Sequence, residues 1–249
     1  MPRDGGTDGT RRWGVVGVTV ETPDPLAYDP LAGGRVRAAD DTVLSALRTV
    51  ALDVETTGLD PLRDRLLEIG VAVPAGVVAQ AVVSDPAWTE AGEAAEVSRI
   101  PAELTPHGLP LTAVLAMVRD VLRPGNPADA PVVVGHNVGF DLAFLAAEGA
   151  DWVARVPAVD LVSCGRLLWP GERVRLEDAC ARLGVAAGGH RAGSDALAEA
   201  CYWGAMIPLL LERDVRTWGE MCRTTVPVPL RSPRPPWPAR VRGALRRPA

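Results

Sequence analysis

The stretch from Thr49 to Glu55 constrains the fold more than any other. Val50, Leu52 and Val54 alternate with Ala51, Asp53 and Glu55, a period of two that belongs to an extended strand. The apolar set points to one side and both carboxylates project from the other. Gly58 and Pro61 end the strand. Two further apolar runs, residues 66–73 and 77–83, are joined by Pro74-Ala75-Gly76, the spacing of a hairpin with a short turn. Three antiparallel strands therefore open the folded region.

After them the pattern switches to strand and helix in alternation. Apolar residues recur at helical spacing over 111–122, before Pro124-Gly125, and PVVVG at 131–135 is a short buried strand. Residues 140–148 form a helix closed by Gly149, and 158–160 a short strand or turn leading into a helix through Leu168. Residues 176–183 are helical and stop at Gly184, and a last long helix spans about 194–211. The expected fold is α/β, a mixed sheet of antiparallel and then parallel strands flanked by helices.

The ends read differently from this body. Residues 1–43 are rich in Gly, Pro and Asp without either period, and residues 222–249 are rich in Pro and Arg. The expectation is a flexible N-terminal segment, a folded domain over 44–221 and a solvated basic tail. Formal charge divides accordingly into −1 for residues 1–48, −11 for 49–221 and +7 for 222–249. An acidic body that binds a polyanion does so through metal ions or a few placed arginines. The seven tail arginines, unaccompanied by any acid, are either a tether for phosphates or simply a solvated end.

No run of eighteen apolar residues occurs, and the first thirteen residues lack the apolar segment of a secretory signal. The expected location is cytoplasmic. Cys164, Cys180, Cys201 and Cys222 stand far apart with no CxxC pair, which argues for reduced thiols and against a zinc site or a disulfide framework.

Asp53 and Glu55, one residue apart on a strand, converge on one face. Two carboxylates in low dielectric repel unless they share a proton or a cation. A hard divalent ion, Mg²⁺ or Mn²⁺, suits such oxygen ligands. Thr56-Thr57-Gly58 follows at once, a turn whose hydroxyls and N–H groups can hold the end of a phosphate chain. Asp141 and Asp195 each fall in the first turn of a helix, where Asp is also favoured for the dipole alone. His190 lies in the glycine-rich run Gly188-Gly189-His190-Arg191-Ala192-Gly193-Ser194-Asp195. An imidazole held there, with four residues between it and Asp195, fits general-base chemistry.

Taken together, LDVETTGL, VVGHNVGFDLAFL and HRAGSDALAEA resemble the three motifs of the DnaQ-like, or DEDDh, exonucleases. The resemblance covers about residues 48–212 and implies an RNase H-like fold with a five-stranded mixed sheet. It implies Asp53, Glu55, Asp141 and Asp195 as ligands of two divalent ions about 4 Å apart that clamp the scissile phosphate, with His190 as general base. The substrate-binding set it suggests is Thr56, Thr57, Gly58, Leu59, His136, Asn137 and Phe140, although Phe140 and Phe144 are better explained by packing. Pro110 departs from the His-Gly-Ile-Thr segment that relatives carry near His107-Gly108-Leu109.

The expected activity is therefore 3′-to-5′ exonucleolysis that releases nucleoside 5′-monophosphates. Single-stranded or mismatched DNA ends are the favoured substrate, as in proofreading or DNA repair. RNA is the alternative within the same chemistry, and a catalytically silent binding module is the alternative outside it. Gln80, the chain's one glutamine, lies within a strand, so the tail offers no Gln-led sliding-clamp motif, and the sequence does not support membership of a replicative polymerase.

Overall fold

The computed structural model describes residues 40–85, 100–101, 103–123 and 131–225. Calls made on residues 1–39 and 226–249 lie outside them. Among the described residues a five-stranded sheet has the order β3-β2-β1-β4-β5. Its strands are β1 (Thr49–Thr56), β2 (Leu66–Val73), β3 (Gly76–Val82), β4 (Val132–Gly135) and β5 (Ala158–Asp160). The first three are antiparallel neighbours, and β4 and β5 add in parallel beside β1.

The alternation in β1 separates two cores. Val50, Leu52 and Val54 pack with β2 and β3 residues such as Ile69, Val71 and Ala79 beneath α1 (Leu111–Leu122) and α2 (Val138–Ala147). Ala51, Ala72, Val132 and Val134 face the other way. They are covered by α3 (Leu161–Leu168), α4 (Leu176–Arg182), α5 (Ala192–Glu212) and α6 (Trp218–Thr224). Trp203 and Tyr202 of α5 are the largest fully buried side chains of this second layer.

Helix starts differ from the expected ones by two residues. α2 begins at Val138, since Asn137 takes a left-handed conformation (φ 69°) that turns the chain out of β4. α5 begins at Ala192, two residues before Ser194. The packed unit also extends past 44 and 221. Trp218 and Gly219 N–H donate to the carbonyls of Thr42 and Asp40, Val43 bridges Thr217, and α6 buries Trp218 and Met221. A Thr217/Glu220 capping box starts α6, so position 222 lies inside a helix. No helix among the described residues is long and apolar enough to cross a membrane.

Candidate active site

The site forms at the carboxyl end of β1, where β1 and β4 part. Their parallel ladder covers only Thr49–Ala51 against Val132–Val134. Farther along, the Val54 N–H donates to Asp141 Oδ1 at 3.0 Å. This side-chain bond ties the first turn of α2 to β1 and places Asp141, 4% exposed, next to the acids of the strand. A crevice beyond the carboxyl ends of parallel strands is the usual position for ligands in open α/β sheets.

Asp53 and Glu55 face α5, which brings Asp195 to them from its first turn. One ligand oxygen from each of Asp53, Glu55 and Asp195 lies within 4.8 Å of the others. Such proximity penalises charge. Burial, then the charges of Glu199, Asp141, Glu55 and Asp195, push the Asp53 carboxyl well above the usual range. Burial and the neighbouring Asp195, Glu68 and Asp141 raise Glu55 to about 8, with Arg191 opposing. Asp141 is pushed up to about 8, mainly by burial. Asp195 is raised by burial, with His190 as the main counter-influence. An all-oxygen donor set whose members repel one another fits a hard divalent cation, which would stabilise all of them as anions.

His190 stands beside Asp195 in a left-handed conformation, φ 58°, which few non-glycine residues adopt without support. The loop is held from within and from outside. Gly189 N–H donates to Ser194 Oγ at 3.0 Å, and that hydroxyl donates to the Arg191 carbonyl at 2.9 Å. Gly188 passes so close over Asp195 that a Cβ there would strike its carboxylate.

The outer support is Glu68 of β2, directly across from Glu55 in the β1–β2 register. Its fully buried carboxylate accepts from Arg191 Nε at 2.9 Å and Nη2 at 2.5 Å, from Ala192 N–H at 3.1 Å and from Gln80 Nε2 at 2.8 Å. The guanidinium offsets the like-charge pairing of Glu55 with Glu68. It also pins the start of α5 to the sheet.

Other expected residues divide between the cleft and its scaffold. Thr56 ends β1, and Thr57, Gly58 and Leu59 form the turn after it. Thr56 Oγ1 donates to the Gly58 carbonyl at 2.6 Å, and Thr57 Oγ1 accepts from Arg65 N–H at 2.9 Å. Leu59 is 85% exposed. Asn137 N–H donates to Asp160 Oδ1 at 2.9 Å. The His136 ring, whose pKa is lowered by burial, lies with Nε2 at 3.1 Å from the Val174 carbonyl. Phe140 packs at 53° against the buried Phe144, centroids 4.8 Å apart, on the α2 core. Cys164, Cys180 and Cys201 are free thiols.

Sequence reasoning passed over Glu68 and Glu199. Glu199 follows Asp195 by one turn of α5 and is 1% exposed. It occupies a core-stripe position, between the buried Ala196 and Trp203. An acid interrupting an apolar stripe was the available signal.

Comparison with known proteins agrees with this geometry. The profile of the exonuclease family matches residues 50–201. DNA polymerase III PolC-type of Thermotoga maritima is 28% identical over 192 residues, covering 74% of this chain and 14% of the polymerase. Its counterpart in Clostridium perfringens is 27% identical over 195 residues, covering 76% and 12%. The chain thus spans only about a seventh or less of the length of these relatives.

Among solved structures, E. coli exonuclease I in complex with a dA16 oligonucleotide superposes with TM-score 0.51 at 16% identity, over 66% of this chain and 42% of that one. The RNase domain of yeast Pop2 superposes with TM-score 0.51 at 13% identity, over 68% and 80%. At such identities the likeness is one of fold. With the family profile spanning most of the sheet and all three acidic motifs, the chain belongs to the exonuclease family, in its DnaQ-like branch with the RNase H-like fold.

Proposed function

We propose that this chain is a metal-dependent 3′-to-5′ exonuclease that trims single-stranded or mismatched DNA ends and releases nucleoside 5′-monophosphates. The observation that carries the reading is the convergence of Asp53, Glu55 and Asp195 oxygens within 4.8 Å, with Asp141 anchored beside them through Val54. DNA is favoured over RNA by the kinship with DNA polymerases.

Two Mg²⁺ or Mn²⁺ ions held by Asp53, Glu55, Asp141 and Asp195 would supply Lewis-acid charge to the scissile phosphate and to the departing 3′-oxygen. His190 takes the proton of the attacking water, from a loop whose left-handed backbone sets it five positions before Asp195. Buried Glu68 and its half-buried partner Arg191 keep that loop from shifting as the proton arrives. The turn at Thr56 to Leu59 receives the terminal nucleotide, with the exposed Leu59 side chain as an apolar surface for its base.

End-labelled DNA and RNA oligonucleotides of matched sequence, single-stranded, duplex and mismatched, test this with each metal. His190→Ala should lose on the order of 10²- to 10⁴-fold in turnover while Mn²⁺ binding persists, and Asp53→Asn should abolish cleavage. Labelled 3′ ends left uncut by the wild type with both metals would end the enzyme reading. Faster loss of RNA than of DNA would replace the substrate.

A further inference from the structure

Between α3 and α4 the chain forms a strap, residues 169–175, that is fixed at several points. The Arg182 guanidinium stacks over the Trp169 ring, 4.7 Å from its centroid, and pairs with Glu172. The Val174 side chain fills a notch at Gly165 of α3, where an added Cβ would lie 2.8 Å from it. The Val174 carbonyl stands 3.1 Å from Nε2 of His136, and the His136 N–H donates to Glu199 Oε1 at 2.7 Å. Glu199 lies one turn past Asp195 on α5, so two short links join the strap to the helix that carries Asp195.

Val174 is turned inward, and in extended backbone its two neighbours project to the opposite face. Arg175 is extended (φ −93°, ψ 151°), and Arg173 and Arg175 are both exposed. Among the described residues neither guanidinium has a carboxylate within ion-pair distance. The acid of the strap, Glu172, is taken by Arg182, and Glu177 and Asp178 lie in the first turn of α4, where they suit its dipole. Two uncommitted arginines thus sit on a rigid support in a body whose residues 49–221 carry a net charge of −11.

We propose that Arg173 and Arg175 bind the phosphodiester backbone of the substrate strand upstream of the scissile phosphate. The inference rests on the exonuclease reading above and gives the strand its path out of the cleft. The turn that leaves β1 toward β2 takes the terminal nucleotide, and β4 lies on the other side of β1. His136, the residue after β4, holds the strap on that second side, where the chain 5′ of the cleaved bond passes. Guanidinium forks hold phosphate without reading bases, so the grip is independent of sequence, as trimming of any end requires.

The test is steady-state cleavage by the full-length chain, with Mg²⁺ and over a range of salt, of a long 5′-labelled oligothymidylate and of a thymidine dinucleotide. Arg173→Ala/Arg175→Ala should raise KM for the long strand on the order of 10-fold and reduce the slope of log(1/KM) against log salt by about 1.4, at about 0.7 per single-strand phosphate contact. The loss should fall on KM and not on kcat, and the dinucleotide, which ends short of the strap, should show no such rise. Both side chains are exposed, so the fold does not depend on them. An unchanged KM and salt slope on the long strand would overturn the proposal and leave the enzyme reading intact. An equal rise on the dinucleotide, or a fall in kcat alone, would overturn it too, because either traces the effect to a displaced His136. A wild type that leaves both substrates uncut would overturn this proposal and the enzyme reading together.

Discussion

Replacing Glu68 by alanine measures how firmly the site is held to the sheet. Glu68 is fully buried, and its carboxylate accepts four hydrogen bonds, two from Arg191 and one each from Ala192 and Gln80. Truncation leaves all four donors without their acceptor. The Ala192 N–H lies on a fully buried residue and has no water to turn to; an orphan of that kind costs about 1–3 kcal/mol. Breaking a buried ion pair costs about 3–5 kcal/mol. The Arg191 side chain is 34% exposed and regains some hydration, so the low end applies.

The expected total is about 3 kcal/mol, a large part of the roughly 5–15 kcal/mol that holds a domain folded. In urea, with a slope of about 1–3 kcal/mol per molar, the midpoint should fall by roughly 1–3 M. The companion variants Arg191→Ala and Glu68→Ala/Arg191→Ala complete a double-mutant cycle. The double variant should be less unstable than the sum of the single ones, since each single one strands the other's charge. A loss below about 1 kcal/mol in Glu68→Ala, or strict additivity in the cycle, would refute the view that this pair anchors the start of α5.

Two further outcomes follow from the same geometry. Burial and mutual repulsion raise Asp53, and raise Glu55 and Asp141 to about 8, so the metal-free folded state holds protons that the unfolded chain would release. That contribution is fully present below the ordinary carboxylate pKa and is lost as pH rises through the folded values. In EDTA the melting temperature should therefore fall between about pH 5 and pH 9, and saturating Mn²⁺ should flatten the slope; a metal-free melting temperature that is level or rising would contradict the cluster. At Gly70 of β2 a methyl would run into the Ala192 carbonyl, backbone against backbone, so Gly70→Ala should destabilise by about 1–3 kcal/mol in urea titration, and a neutral result would show that α5 can move away from the sheet.

Much of the architecture was legible because it depends on local periods. The two-residue alternation of β1 separated Val50, Leu52 and Val54 from Ala51, Asp53 and Glu55, and the structure places the two sets in different layers. Hairpin spacing located β2 and β3, and helical spacing located α1 to within a residue. Less local features escaped. The start of α2 at Val138 depends on a left-handed Asn137 whose N–H is held by Asp160. The clasp of Asp40 and Thr42 onto α6 joins segments more than 170 residues apart, and neither segment has a strong period of its own.

At the site, the residue types and their order along the chain already indicated carboxylates and an imidazole gathered for nuclease chemistry. Tertiary structure decided which oxygens meet. It brought Asp195 to Asp53 and Glu55 across α5, and fastened Asp141 to β1 through the Val54 N–H. It also revealed Glu68 and Glu199, which look like ordinary acids within an apolar strand and an apolar helix. The physical reason is distance: side-chain period acts over a few residues, while burial and charge repulsion arise only when elements far apart in sequence pack within a few ångströms.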